Sequence, residues 1–284
     1  MILLCCDLDR TVIPNGEPPE DPRALPMMRS LAARPEVVLA YVSGRSRVLQ
    51  EKAILHWDLP VPEWAVGDVG TSLFEVSSEW RPVESWSREI APDWNGLEGP
   101  EVAELIGALD GLEPQEPERQ ARFKVSFYAD LGADPERLLA PVRRRLEGRG
   151  LRASLIWSVD EAAGRGLLDV LPERATKLGA VRFLMERLGC GERDTVFAGD
   201  SGNDLPALTS GLQAVLVANA AVEVRDQAVA AVTSAGRRDR LYLARGGGPL
   251  GLDGNYAAGV LEGLVHFRPE VLPWLEHGVG VDAG

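Results

Sequence analysis

The stretch Met1-Ile2-Leu3-Leu4-Cys5-Cys6-Asp7-Leu8-Asp9-Arg10-Thr11 decides how the rest of the chain is read. Its apolar run is short enough for a buried strand and stops at an acid. Asp7 and Asp9 are two apart on an extended segment, so their carboxylates point the same way. A strand end opening into a loop gives the pair a shared, partly solvated site. Two close carboxylates repel unless a cation lies between them. The pair therefore suggests either a metal site or a nucleophile with an acid/base partner. Asp capping an ordinary turn is the bland alternative.

Working outward, Pro14–Pro19 is a turn-rich loop, and Asp21-Pro22 opens a helix to about Ala33. Glu36–Val42 is a second apolar run, followed by Ser43-Gly44-Arg45 and a helix from Ser46 to about Trp57. Strand–helix–strand–helix is the pattern of a parallel α/β sheet, whose ligands bind beyond the carboxyl ends of the strands. The pattern resumes with a helix over Thr176–Leu188, strands at Thr195–Ala198, Gln213–Val217 and Ala230–Thr233, and a helix at Tyr256–Phe267. Residues from 268 on read as a loose tail.

The middle differs. Residues 78–100 are rich in Trp, Pro, Gly and acids, and a helix is expected near 101–110. Arg122–Asp130 alternates, with Phe123, Val125 and Phe127 on one face and Lys124, Ser126 and Tyr128 on the other. That predicts a strand with one buried face and one open polar face. Asp134–Leu146 follows as an amphipathic helix and Leu151–Ser158 as a strand. The expected fold is α/β, a Rossmann-like parallel-sheet core over 1–79 and 169–284, with an α+β domain inserted at 80–168.

Composition narrows the function. The 284 residues carry 30 Lys+Arg against 43 Asp+Glu, a net charge of −13 with 45% hydrophobic residues. This is neither a disordered composition nor that of a sequence-independent nucleic-acid binder. No apolar run approaches the roughly 18 residues of a membrane span. The three cysteines lack metal or disulfide spacing, Cys5 and Cys6 read as buried thiols, and Asp7 comes too early for a signal peptide. A cytoplasmic protein is expected. Lysine occurs only at Lys52, Lys124 and Lys177; every other basic residue is arginine.

Three more segments carry chemistry. Ser43-Gly44-Arg45 offers a hydroxyl and a bare amide to a phosphate oxygen, although in isolation a plain strand-to-helix turn explains it better. Lys177 falls in the first turn of its helix, where a cation opposes the helix dipole at a cost of about 0.3–1 kcal/mol. An anion contact explains it better than fold stability does. Gly199-Asp200-Ser201-Gly202-Asn203-Asp204 crowds two acids and an amide into one strand-end loop, an oxygen-donor set that suits Mg²⁺.

In this order, with an insertion between the second and third segments, the chain resembles the haloacid dehalogenase superfamily of phosphohydrolases with a C2-type cap. Ala40–Ser46, Val66–Thr71, Phe123–Tyr128, Leu168–Pro172, Gly199–Asp204 and Asn255–Glu262 are similar to segments of sucrose-phosphate phosphatases. Ser43 stands where threonine is common, and Val159–Gly166 departs from the family's pattern. The resemblance implies a Mg²⁺-dependent hydrolysis of sucrose 6-phosphate through an aspartyl-phosphate. By it, Asp7 is the nucleophile and Asp9 the acid/base. Asp7, the Asp9 carbonyl and Asp200 hold Mg²⁺, with Asn203 and Asp204 in support. Ser43, Gly44 and Lys177 hold the phosphoryl oxygens. Thr11, Arg45, Asp68, Gly70, Thr71, Lys124, Ser126 and Asn203 are expected on the substrate side. Mannosylfructose-phosphate or glucosylglycerol-phosphate are alternative substrates, and a sugar phosphomutase or a non-catalytic sugar-binding domain are the rival classes. A monomer acting on a small sugar phosphate, in at most transient contact with a sugar-phosphate synthase, is expected; neither nucleic acid nor membrane is.

Overall fold

A computed structural model describes residues 1–160 and 164–276. Its strands, in chain order, are β1 (Ile2–Cys6), β2 (Val37–Val42), β3 (Trp64–Gly67), β4 (Ser72–Val76), β5 (Trp80–Pro82), β6 (Leu112–Pro114), β7 (Val125–Asp130), β8 (Ala153–Asp160), β9 (Arg165–Pro172), β10 (Thr195–Gly199), β11 (Gln213–Leu216) and β12 (Leu241–Leu243). The helices are α1 (Ala24–Ala32), α2 (Arg47–His56), α3 (Glu84–Ile90), α4 (Gly99–Ile106), α5 (Pro135–Glu147), α6 (Lys177–Leu188), α7 (Leu205–Leu208), α8 (Val222–Ser234), α9 (Tyr256–Phe267) and α10 (Leu272–Glu276).

Eight strands form one sheet in the order β12-β11-β10-β1-β2-β3-β4-β5. It is parallel from β12 to β3, and β4 and β5 add antiparallel strands at one edge. All of β1 and β10 is buried, the continuous apolar reading of strands covered on both faces. Leu3 and Cys5 of β1 face one core layer, while Ile2, Leu4 and Cys6 face the layer of α1 and α9. All three cysteines are buried free thiols. Because β1 and β10 are adjacent and parallel, their carboxyl ends deliver Asp7 and Asp200 to the same edge of the sheet.

A second, antiparallel sheet has the order β6-β7-β9-β8. Its apolar face, with Val125, Phe127, Leu168 and Val170, packs on Val102 and Ile106 of α4 and Leu139, Val142 and Leu146 of α5. The fully buried Asp93 ties the start of β8 to the connection that leads from β9 back to α6. It accepts from the Arg152 guanidinium, from the Arg174 amide at 2.8 Å and from Arg174 Nε at 3.2 Å, and its carbonyl accepts from the Arg152 amide at 2.8 Å.

Several expectations are corrected. Ala230–Thr233 is not a strand but part of α8; a short apolar run suits either structure, and the strand in this region is β12. The tail is not loose from 268 on, since α10 packs on α1 with Val271 and Leu275 fully buried. Residues 277–284, with His277, lie outside the described residues. The expected division at 80 falls at the start of β5, which belongs to the first sheet, and the one at 168 falls within β9, which runs on to Pro172 in the second. Lys124, Ser126 and Tyr128 do share a face, but only its Tyr128 end is partly open, and Lys124 and Ser126 are buried.

Candidate active site

The site lies where β1, β2 and β10 end. Lys177 Nζ stands 2.8 Å from Asp7 Oδ1, 2.8 Å from Asp204 Oδ1 and 3.0 Å from Asn203 Oδ1. Thr176 caps α6, its hydroxyl accepting from the Gly179 amide at 3.0 Å, so the first turn that presents Lys177 is fixed. The cation that opposes the dipole of α6 is thus held by two buried carboxylates. Asp204 Oδ2 accepts from the amides of Asp200 and Ser201, both at 3.2 Å, and from the Ser201 hydroxyl at 3.1 Å. Gly199 makes room for this: a Cβ there would lie 2.6 Å from the Asp204 carboxyl carbon. Asp200 accepts from the Thr11 hydroxyl at 3.2 Å and pairs with Arg10 at 3.5 Å.

Charge explains what this cluster is suited to bind. Burial pushes the Asp7 carboxyl up; Lys177 opposes this, and Asp204 and Asp200 add to it, leaving Asp7 well above its ordinary value. Burial, reinforced by Asp204, pushes Asp200 to about 7 despite Arg10 and Lys177. Lys177 is pushed down by burial, but Asp204 and Asp7 outweigh that and hold it above its ordinary value. Carboxylate oxygens of Asp7, Asp200 and Asp204 lie within 4.8 Å of one another. Hard oxygen donors in excess of the nearby positive charge are the donor set of Mg²⁺, so these residues fit that ion.

Asp9 is held apart from the three. Arg45 donates to both its oxygens, at 2.8 and 2.6 Å, and Asn15 adds a bond of 2.7 Å. Burial alone would raise Asp9, but these bonds outweigh it and hold its carboxyl below the ordinary value.

A cavity of about 340 Å³ opens above these groups. Asp7, Asp9, Gly44, Arg45, Asp200 and Asn203 line its floor, and Gln115, Arg119, Lys124, Ser158, Leu167 and Asp169 come from the inserted unit. Other expected residues stand behind this wall. Ser43 is buried, its hydroxyl accepting from the Arg45 amide at 3.2 Å. Thr11 supports Asp200 and does not line the cavity. Ser126 donates to Asp169 and so orients that carboxylate, which does line the cavity. Asp68, Gly70 and Thr71 are also absent from the wall. The sequence reading missed Arg10, Val69, Gln115, Arg119, Ser158 and Asp169. Asp169 was within reach, being one strand position from Leu168 and Val170 on a face that alternates like that of Lys124. Lys52 is exposed, and the tryptophans stay out of the wall.

Residues 1–268 match the family described as sucrose-6F-phosphate phosphohydrolase. A protein of Nitrosococcus oceani described as a HAD-like hydrolase is 52% identical over 278 residues, 98% of this chain and 74% of the relative. The mannosylfructose-phosphate phosphatase of Agrobacterium fabrum is 26% identical over 269 residues, 93% of this chain and 96% of the relative. The solved structure of the sucrose-phosphatase of Synechocystis sp. PCC6803, in complex with sucrose and phosphate, has the same fold, with a TM-score of 0.74 at 24% identity over 94% of this chain and 97% of that one.

Proposed function

The chain belongs to the sucrose-6F-phosphate phosphohydrolase family and is a phosphatase of the HAD type, and from that premise we propose that its substrate is a glycosyl phosphate, sucrose 6-phosphate first among the candidates. The observation that carries the reading is the layered cavity, with Asp7, Asp9 and Asp200 below and Gln115, Arg119, Lys124 and Asp169 above. The floor suits a phosphate ester and the roof a polyhydroxylated leaving group. Residues from about 83 to 172 act as the cap.

Asp7 attacks phosphorus, the bond to the sugar oxygen breaks, and an aspartyl-phosphate forms. Asp9 gives a proton to the departing oxygen and then takes one from the hydrolytic water, whose oxygen displaces phosphate from Asp7. Lys177 offsets charge at Asp7, and the Gly44 amide meets a phosphoryl oxygen. Ser43 acts by fixing the turn that carries Gly44 and Arg45. Mg²⁺ would be held by Asp7, Asp200 and the Asp9 carbonyl, with Asn203 and Asp204 in support, and would supply neutralisation of nucleophile and phosphate, which otherwise repel. Splitting the reaction in two and positioning charge is the usual route to phosphoryl transfer.

A related disaccharide phosphate is the second reading, favoured by the near full-length match to a mannosylfructose-phosphate phosphatase. Among the described residues no helix is long and apolar enough to cross a membrane. We take a cytoplasmic monomer as the working form. Phosphate release from a panel of sugar phosphates, with and without Mg²⁺, tests the reading. Sucrose 6-phosphate should be hydrolysed well above glucose 6-phosphate; equal rates sink the assignment.

A further inference from the structure

Three consecutive residues, Asp68, Val69 and Gly70, have φ angles of 51°, 64° and 115°. Glycine adopts this region freely and aspartate tolerates it, but a β-branched valine there is an outlier. Such a backbone persists only where its surroundings impose it. Here they do so from three sides. The Val69 amide donates to the Ser43 carbonyl at 3.2 Å and the Asp68 amide to the Arg45 carbonyl at 3.1 Å, fastening the tripeptide to the Ser43–Arg45 turn. A Cβ on Gly70 would stand 2.4 Å from the Thr176 carbonyl carbon and 2.8 Å from the Lys177 amide nitrogen, so the tripeptide abuts the start of α6. On the third side the Trp86 indole donates to the Gly70 carbonyl at 3.0 Å, and Asp68 pairs with Lys124 at 3.5 Å. The two charged side chains are only 9% and 7% exposed, and the Ser72 hydroxyl donates to Asp68 at 2.8 Å.

We propose that Asp68-Val69-Gly70 is a positioning element that sets Lys124 of the cap, the Ser43–Arg45 turn and Lys177 in one register, so that the groups facing the leaving sugar and the groups around the phosphate are placed together. It rests on the phosphatase reading above. Asp68 then serves Lys124, not the sugar. It also sets what Lys124 offers. With its charge offset by Asp68, the ammonium presents its remaining N–H donors to hydroxyl oxygens. A neutral polyol suits it better than a leaving group with a second anionic charge.

The test compares kcat/KM for the best-cleaved sugar phosphate of the panel with that for methyl phosphate, whose one-carbon leaving group has nothing for Lys124 to hold. In Asp68→Asn the value for the sugar phosphate falls about tenfold more than that for methyl phosphate, as expected for residues in contact. Lys124→Met gives the same ratio, and the double variant is no worse than either single one. Equal losses on both esters, or losses that multiply in the double variant, overturn the proposal. Gly70→Ala, which presses on Thr176 and Lys177, lowers kcat for both esters alike; a loss confined to the sugar phosphate also overturns it. Should Gly70→Ala fail to fold, the Asp68→Asn ratio decides alone. A parent enzyme that cleaves neither ester sinks the phosphatase reading instead, and that failure is visible before any variant is made.

Discussion

The guanidinium of Arg45 grips both oxygens of Asp9, Nη2 to Oδ1 at 2.6 Å and Nε to Oδ2 at 2.8 Å. A carboxyl held this way binds a proton less readily than its burial would dictate. That restrains the residue proposed to protonate the leaving oxygen. Arg45→Met removes the opposing bonds and lets burial act, so the Asp9 carboxyl rises. The limb of the kcat/KM profile that belongs to Asp9 should move to higher pH. A profile whose limbs stay in place would remove Asp9 from the acid/base role.

Asp7→Asn separates chemistry from folding. The Asp7 carboxyl is raised, so its ionised form costs stability at neutral pH. A neutral amide of similar shape should leave the metal-free protein as stable or more so, while phosphate release falls by roughly a thousandfold or more. Thermal unfolding in chelator and a phosphate assay check the two halves. Retained activity rules out Asp7 as nucleophile.

Lys177→Met should fail on both counts. It leaves the carboxylates of Asp7 and Asp204 buried without the ammonium that now stands 2.8 Å from each. Removing one member of a buried charge set costs about 3–5 kcal/mol. Denaturant unfolding measures this, and a loss under about 1 kcal/mol would show that the cluster relaxes by taking up protons.

The acid cluster also fixes the sign of the pH dependence without metal. Asp200 binds its proton up to about pH 7 when folded, against an ordinary 3.8. Between those values the folded state holds more protons than the unfolded one, so stability falls as pH rises. Asp9, lowered, acts in the opposite sense but below the ordinary carboxylate value, outside this window. In chelator, the melting temperature should be lower at pH 8 than at pH 6. Added Mg²⁺ should raise it more at pH 8, where the carboxylates are free of protons. An equal rise at both values would place the ion elsewhere.

Asp93→Ala tests the anchor that fixes the connection from β9 to α6. Asp93 is buried while Arg152 and Arg174 are about half exposed, so the arginines can return to water and the loss is that of charged hydrogen bonds. About 1.5–3 kcal/mol is expected in denaturant unfolding. A neutral result would mean that the bonds of Asp93 add nothing to what apolar packing and the Asp68–Lys124 and Trp86–Gly70 contacts already supply.

The parallel α/β core and the floor of the site were legible because both follow from strand ends, whereas the order of the sheet and its strands β3, β4, β5 and β12 were not read from the sequence. An apolar run that stops at an acid identifies Asp7, and a second such run identifies Asp200. Alternation over Lys124–Phe127 correctly paired Lys124 with Ser126 but could not tell solvent from buried polar surroundings, since both permit polar residues. The roof was the least legible part. Gln115 and Arg119 sit on the connection between β6 and β7, where no periodicity marks function. They matter only because Gln120 ties that connection to β7, its amide donating to the Gln115 and Ser126 carbonyls at 3.0 and 2.9 Å and accepting from the Ser126 amide at 2.8 Å. Ala230–Thr233 was misread because alanine and valine over four residues satisfy either period.

The short crossing from β9 to α6 has a consequence for anyone who would exchange caps between relatives. Leu167 and Asp169 in the roof and Lys177, which stands behind the floor against Asp7, lie on one continuous stretch, and the Arg174 amide between them is anchored to Asp93. A chimera spliced at Pro172 therefore inherits a broken anchor unless the donor brings its own buried acid to that place. The cap behaves as a cartridge whose fitting includes the first turn of the catalytic helix, and the swap should be designed from Asp93 outward.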